Sequence, residues 1–344
     1  MLRILDANLN RIGEGLRLLE DISRFTLNDS ELSKQLKSLR HALLPKDRSL
    51  QGKLLNARQA EQDVGAFLNE DGEAQRPDVA SLVRANSLRI QQSLRVLEEI
   101  TKVPGQDFGL EWETLKHARF TLYELEKTIV LKLSRHDRIS RISGLYLILD
   151  TQALRGKNEI EVARQSIQGG ATIIQLRDKM RTKSELVPMA QELKKMCQFN
   201  ALFIVNDYLD IALASDADGL HLGQEDLPLP VARRLLPADM ILGCSTATLE
   251  EALQAQEQGA DYIAVGAMYP TPSKTDIRLA GIETLRQVKE QVSVPVVAIG
   301  GINEDNVAEV INAGADAVAI ISAVLHADDV NEASKRIIAK IEER

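Results

Sequence analysis

Apolar residues recur at helical spacing from the start of the chain, and near residue 145 the pattern changes to short apolar runs separated by helical segments. Over residues 3–138 no strand-like alternation appears. On a helix advancing about 100° per residue, Leu9, Ile12, Leu16, Leu19 and Ile22 gather on one face, with Asn8 inside that stripe and Arg11 at its margin. The stretch from Asp6 to Arg24 aligns without gaps on that from Arg84 to Lys102, placing Asn86 and Arg89 where Asn8 and Arg11 stand. A second echo sets Leu36, Lys37 and Arg40 against Leu115, Lys116 and Arg119. The pattern predicts an all-α bundle built on a duplicated helical hairpin. A buried Asn costs stability unless its hydrogen bonds are met, so the Asn/Arg pairs either tie helices together or line a polar ligand cavity. Between the repeats, residues 54–78 are rich in polar residues and Gly and read as a long connection carrying Arg58 and Asp63.

The short runs are residues 145–150, 172–177, 202–207, 219–223, 240–245, 262–267, 295–301 and 317–323, with helices such as 159–168, 184–196, 249–258 and 304–312 between them. Eight such units in about 200 residues predict a closed (β/α)8 TIM barrel, over residues 143–344, after an α-helical domain at 1–138. Function in such a barrel is expected at the C-terminal strand ends.

Polar residues can be collected from those ends alone. The second strand offers Gln175, Arg177 and Lys179 at a period of two, so all three point the same way. The third offers Asn206 and Asp207, the fourth His221 and Asp226, and the fifth Ser245. After the sixth comes a long loop with Thr271, Ser273 and Lys274, and the last two end in Gly300-Gly301 and Ile321-Ser322. Asp207 and Asp226 form a hard-oxygen pair of the kind Mg2+ accepts when a substrate phosphate completes its shell, although either alone would serve as a helix cap. Arg177, Lys179 and Lys274 supply positive charge, and the small residues after the seventh and eighth strands suit a phosphate. Two anion pockets suggest two phosphorylated substrates joined across the barrel mouth. Arg181 and Lys183 read as solvated charges, and His221 is equally a core residue or a catalyst.

Composition narrows the setting. Residues 1–140 carry 22 Lys+Arg against 21 Asp+Glu, leaving 20 and 29 for the remainder, so the net charge of −8 belongs to the C-terminal part. That argues against a nucleic-acid surface there. Cys197 and Cys244 show no metal-ligand spacing, no apolar run approaches the ~18 residues of a membrane span, and no secretory pattern opens the chain. A reduced, cytoplasmic protein is expected. No GxxxxGK[ST] loop is present, so a nucleotide bound by the helical region would lack the usual phosphate cradle.

With these residues in view, IIQLRDK, IVNDYLDIA, GLHLGQED, GCSTAT, VGAMYPTPSKTD, AIGGI and IISA together make the region from about 143 to 344 resemble thiamine-phosphate synthases. The resemblance implies joining of 4-amino-2-methyl-5-hydroxymethylpyrimidine diphosphate to a thiazole phosphate, with release of pyrophosphate. By that resemblance Gln175, Arg177, Lys179, Asn206 and Lys274 hold the pyrimidine diphosphate, Asp207 and Asp226 bind Mg2+, and Ser245 lies near the reacting centre, with His221 among the substrate-facing residues. Thr271, Ser273, Gly300, Gly301, Ile321 and Ser322 would then hold the thiazole phosphate; Ser273 stands where the family pattern commonly has Thr. Ser245, Lys274 and Arg177 are the catalytic candidates, and the loop after the sixth strand would close as a lid.

The N-terminal region, through DANLNRIGEGLRLLEDISRF, resembles the helical domain fused to some of these synthases, a family assigned hydroxymethylpyrimidine-phosphate kinase activity. That implies ATP as co-substrate, with Asn8, Arg11, Arg58, Asp63, Asn86 and Arg89 as candidates from pattern alone. The competing expectations are a thiazole tautomerase-like barrel, which would need acid-base groups and no diphosphate site, and a helical module that serves dimerisation or regulation.

Overall fold

A computed structural model describes residues 1–45, 47–58, 76–104, 108–198, 200–270 and 278–343. The chain divides into two compact units, Met1–Ser134 and Arg135–Arg344.

In the first unit the helices are α1 (Leu2–Asp21), which passes into one π turn at Ile22–Thr26, α2 (Ser30–Leu43), α3 (Arg48–Asn56), α4 (Val79–Ile100) and most of α5 (Trp112–Ser140). Asp29, Asp47 and Asp78 start α2, α3 and α4 by accepting hydrogen bonds from first-turn amides that have no helical partner. The apolar stripe of α1 is buried, Leu5, Ile12, Leu16 and Leu19 completely, and it packs with Ile90, Leu94 and Leu97 of α4 in one core. Gly15 lets the two helices approach, since a Cβ there would lie 2.6 Å from Cγ1 of Ile90. Across the core, buried Glu20 accepts from Arg40 at 2.9 and 3.1 Å, and buried Glu98 accepts from Arg119 at 2.7 and 3.3 Å.

The second unit is a closed parallel barrel in chain order. Its strands are β1 (Gly144–Asp150), β2 (Ile173–Arg177), β3 (Leu202–Asn206), β4 (Gly219–Leu222), β5 (Ile241–Thr246), β6 (Tyr262–Gly266), β7 (Val296–Ile299) and β8 (Ala317–Ile320). Closure comes from β1 pairing with β8, Leu145 opposite Val318. The intervening helices are α6 (Glu159–Gln168), α7 (Lys183–Cys197), α8 (Leu209–Ala214), α9 (Leu229–Leu235), α10 (Leu249–Glu257), α11 (Gly281–Gln291), α12 (Val307–Asn312), α13 (Ser322–Leu325) and α14 (Val330–Glu342). Strand ends move by a residue or two from the apolar runs. The seventh strand stops at Ile299 because Gly300 and Gly301 turn at φ 101° and 70°, and the predicted helix at 304–312 begins only at Val307, after a turn.

Outward residues such as Leu147, Leu149, Ile174 and Phe203 pack under the helices, whereas Tyr146, Ile148, Ile173, Ile204, Tyr262 and Val297 fill the interior. These strands are covered on both faces, which is why they read as continuous apolar runs. Among the described residues no helix is long and apolar enough to cross a membrane.

Candidate active site

Strand register brings the inward residues of β1 to β5 to one end of the barrel, with Asp150 opposite Arg177 and Asn206 opposite His221. Arg177, at the end of β2, donates from Nη1 to Asp150. Two residues on, Lys179 Nζ lies 2.7 Å from Asp207 Oδ2. Asp207 itself has φ 60°, a left-handed conformation that Asp tolerates better than most residues, and its amide donates to the His221 carbonyl at 2.8 Å. That bend sets its carboxylate beside Asp226, whose Oδ2 accepts from the Gly223 amide at 2.7 Å.

The two carboxylates interact directly. Burial first, and then contact with Asp207, push the Asp226 carboxyl above its ordinary range, with the Gly223 amide and Lys179 opposing. The hydrogen bond to Asp207 raises the Lys179 ammonium. Mutual repulsion between adjacent carboxylates is what a divalent cation relieves, and an all-oxygen pair suits Mg2+. Among the described residues no group of three or more His, Cys, Asp or Glu could hold a metal, so the remaining ligands of such an ion would be water and substrate oxygens.

A cavity of about 450 Å³ opens against these groups, lined on one side by Lys179, Gly223, Asp226 and Ser245 and on the other by Gly300, Gly301, Ile321 and Ser322. Both glycines are required by position as well as by φ. A Cβ on Gly300 would lie 2.6 Å from Ala267 Cβ, and one on Gly301 2.8 Å from Tyr269 Cβ. A second cavity of about 50 Å³ is lined by Gln175, Arg177, Asn206 and His221, and Ser245 borders both. Thr271, Ser273 and Lys274 lie outside the described residues.

Several polar partners here escaped the sequence reading. Asp150 holds Arg177, and Arg278 grips Glu251 at 2.6 and 3.1 Å at the cavity edge. Tyr146 and Tyr262, both fully enclosed, link Gln175 to His221. The signal for the tyrosines was inward parity, since each sits in register with other inward positions, Tyr146 with Ile173 and Tyr262 with Gly243. Arg181 bonds to Glu159 and lies 3.5 Å from Asp178, so it is tied down on the rim, while Lys183 is an exposed charge paired with Asp210.

In the helical unit no hydrogen bond or ion pair joins one candidate to another among the described residues. Asn8 Nδ2 donates to the Ile4 carbonyl at 2.8 Å and Asn86 Nδ2 to that of Leu82 at 2.9 Å, each within its own helix. Arg11 and Arg89 are exposed. Arg58 forks onto buried Asp6 at 2.7 and 3.0 Å and reaches Asn10 at 3.3 Å. Asp63 lies outside the described residues.

A parallel (β/α)8 barrel with a cavity bordered by cations, paired carboxylates and a glycine turn at its C-terminal strand ends has the layout of a barrel enzyme. Residues 145–324 match the family model described as thiamine monophosphate synthase, and residues 3–128 match the ThiD2 family. A thiamine-phosphate synthase of Synechocystis sp. is 41% identical over 340 residues, covering 98% of this chain and 96% of that protein. One of Methanospirillum hungatei is 51% identical over 195 residues, 56% of this chain and 95% of that protein. The solved thiamine phosphate pyrophosphorylase of Pyrococcus furiosus superposes with a TM-score of 0.56 at 42% identity, covering 60% of this chain and 98% of that one. The chain belongs to the thiamine monophosphate synthase family and carries a ThiD2-family region ahead of the barrel. It is accordingly a transferase of thiamine biosynthesis.

Proposed function

We propose that the barrel condenses hydroxymethylpyrimidine diphosphate with a thiazole phosphate, releasing pyrophosphate, and that residues 1–138 phosphorylate hydroxymethylpyrimidine phosphate at the expense of ATP to supply the first substrate. The observation that carries the barrel reading is one cavity bordered both by Lys179 and Asp226, each in contact with Asp207, and by Gly300, Gly301 and Ser322. One side suits a metal-bound diphosphate and the other a phosphate monoester.

Asp207 and Asp226 would hold Mg2+, which when bound neutralises charge on the departing diphosphate. Arg177 and Lys179 act in the same sense. Each is aimed by a carboxylate, Asp150 and Asp207 respectively, so their positive ends are placed before substrate arrives. The pyrimidine amino group pushes electrons toward the methylene carbon as the diphosphate leaves, giving a stabilised carbocation. The thiazole nitrogen then attacks with its lone pair and has no proton to lose, so no general base is needed. Gln175 and Asn206 would hold the pyrimidine and Ser245 would face the reacting centre. By the resemblance, Lys274 would hold the diphosphate and Thr271 and Ser273 the thiazole phosphate.

The helical unit is proposed to be a duplicated hairpin. Supporting this, the Glu20–Arg40 and Glu98–Arg119 pairs and the Asn8 and Asn86 hydrogen bonds recur at matching places. Those same contacts favour packing roles for Asn8 and Asn86, so the kinase reading rests on the ThiD2-family match.

One variant of the full chain tests both halves. Asp207→Ala with Asp226→Ala should abolish Mg2+-dependent pyrophosphate release from the two substrates. The same protein, given pyrimidine monophosphate and ATP, should accumulate the pyrimidine diphosphate. Retained condensation would overturn the metal assignment, and absence of diphosphate would leave the helical unit as a scaffold.

A further inference from the structure

Five polar side chains run end to end through the barrel interior. Gln175 Nε2 donates to the Tyr146 hydroxyl at 2.6 Å, and that hydroxyl lies 3.0 Å from the Tyr262 hydroxyl. Tyr262 lies 2.9 Å from Nδ1 of His221, and Nε2 of His221 is 2.9 Å from Ser245 Oγ. Both tyrosines are enclosed, at 1% and 0% exposure. Burial raises both phenols above their ordinary range, so each keeps its single proton at neutral pH.

A chain of this kind has only two consistent directions, because each phenol has one proton to give and a neutral imidazole carries its proton on one nitrogen. The Gln175 amide selects between them. It donates into Tyr146, whose proton must go to Tyr262, whose proton must go to Nδ1 of His221. The imidazole is then protonated at Nε2 and donates to Ser245. The Ser245 hydroxyl accepts at one side and is left with its own proton to give to the cavities it borders.

We propose that Tyr146 and Tyr262 are positioning residues that fix His221 as the Nε2–H tautomer and thereby make Ser245 a one-way hydrogen-bond donor toward an electron-rich atom of the bound substrates. The chain moves no proton, in keeping with a condensation that needs no base. Space for it is built in: a Cβ on Gly243 would fall 2.0 Å from Tyr262 Cζ and 2.4 Å from its hydroxyl oxygen, so β5 has no side chain where the ring crosses it. The inference rests on the proposed reading of Gln175 and Ser245 as substrate-facing.

The test starts with the wild-type full chain labelled with 15N-histidine. The chain has five histidines, so the His221 resonances are assigned from their loss in His221→Gln. A pyrrole-type Nε2 and a pyridine-type Nδ1 are expected, and the opposite pattern, or an imidazolium, overturns the proposal. Kinetics give the second readout. Tyr262→Phe should lower kcat about 10-fold with KM unchanged, equivalent to about 1.4 kcal/mol, and should lower it less than about 2-fold further in a Ser245→Ala background. Additive losses would mean that Tyr262 does not act through Ser245. If wild-type protein made no thiamine phosphate, the proposed function would fail while the tautomer measurement still judged the relay.

Discussion

Asp207, Asp226 and Lys179 stand out in the sequence because each ends or follows an apolar run, and Gln175 because it interrupts one. Asp150 ends the run of β1 just as visibly yet escapes notice, because its pairing with Arg177 is set by strand register, and Tyr146 becomes legible as an inward position only once that register is known. The same holds for glycines: two in a row after a strand signal a turn, but only the structure shows that Gly301 abuts Tyr269. Substituting it with Ala meets both a left-handed φ of 70° and a 2.8 Å contact. Gly301→Ala is expected to raise KM for the thiazole phosphate at least about 10-fold, on the order of 1.4 kcal/mol, and to leave KM for the pyrimidine diphosphate nearly unchanged. Initial-rate measurements with each substrate varied in turn would check this.

Among elements, the starts of alternate barrel strands repeat one device. Asp218, Asp261 and Asp316 precede β4, β6 and β8, and each carboxylate accepts the amide of the preceding strand, at Phe203, Leu242 and Val296 respectively. Each also takes a cation from the helix that leads into that preceding strand: Lys194 of α7 at 2.6 Å, Arg233 of α9 at 3.0 Å and Lys289 of α11 at 2.6 Å. Asp261 is the most exacting case. Burial raises its carboxyl, with Arg135 and Arg233 opposing. Removing it would leave the Arg233 guanidinium on the Pro237 and Met240 carbonyls without the carboxylate it pairs with. Asp261→Ala should therefore destabilise the barrel by about 3–5 kcal/mol, read as a lower denaturant midpoint. In the helical unit, burial tends to raise Glu98, but hydrogen bonds and charge from Arg119 and Arg95 outweigh it and hold the carboxyl below its ordinary 4.5. A depressed folded-state pKa contributes stability that is present above the unfolded value and disappears as pH falls through the folded one. Glu98→Gln should flatten the loss of stability as pH falls below the ordinary 4.5, read in urea titrations followed by far-UV circular dichroism.

At the scale of the molecule, the change of hydrophobic period near residue 145 made the helical region and the eight-unit barrel legible. The division at Ser134 was not, because it falls inside α5, where the helical pattern continues unbroken to Ser140. The helical unit's chemistry also stayed hidden, since Asn8 and Asn86 bond within their own helices and Arg58 is taken up by Asp6. For the whole chain, chelation by EDTA should stop thiamine phosphate formation and added Mg2+ restore it. The thermal unfolding midpoint should fall with EDTA and recover with Mg2+, because an ion held only by the folded chain stabilises it and relieves the repulsion between Asp207 and Asp226. Calorimetry with and without EDTA reads that difference.

Pairing of β1 with β8 also has a temporal consequence. Leu145 and Val318 are neighbours in the sheet but far apart in the order of synthesis. A ribosome has delivered the entire helical unit, and seven of the eight strands, before the residue that closes the ring exists. The helical unit, held by contacts within its own stretch, can acquire structure early, whereas Gly301 and Ser322 cannot share a cavity with Asp226 until β8 has been made. Nascent chains truncated before residue 317 should therefore carry a structured N-terminal portion and no condensing activity.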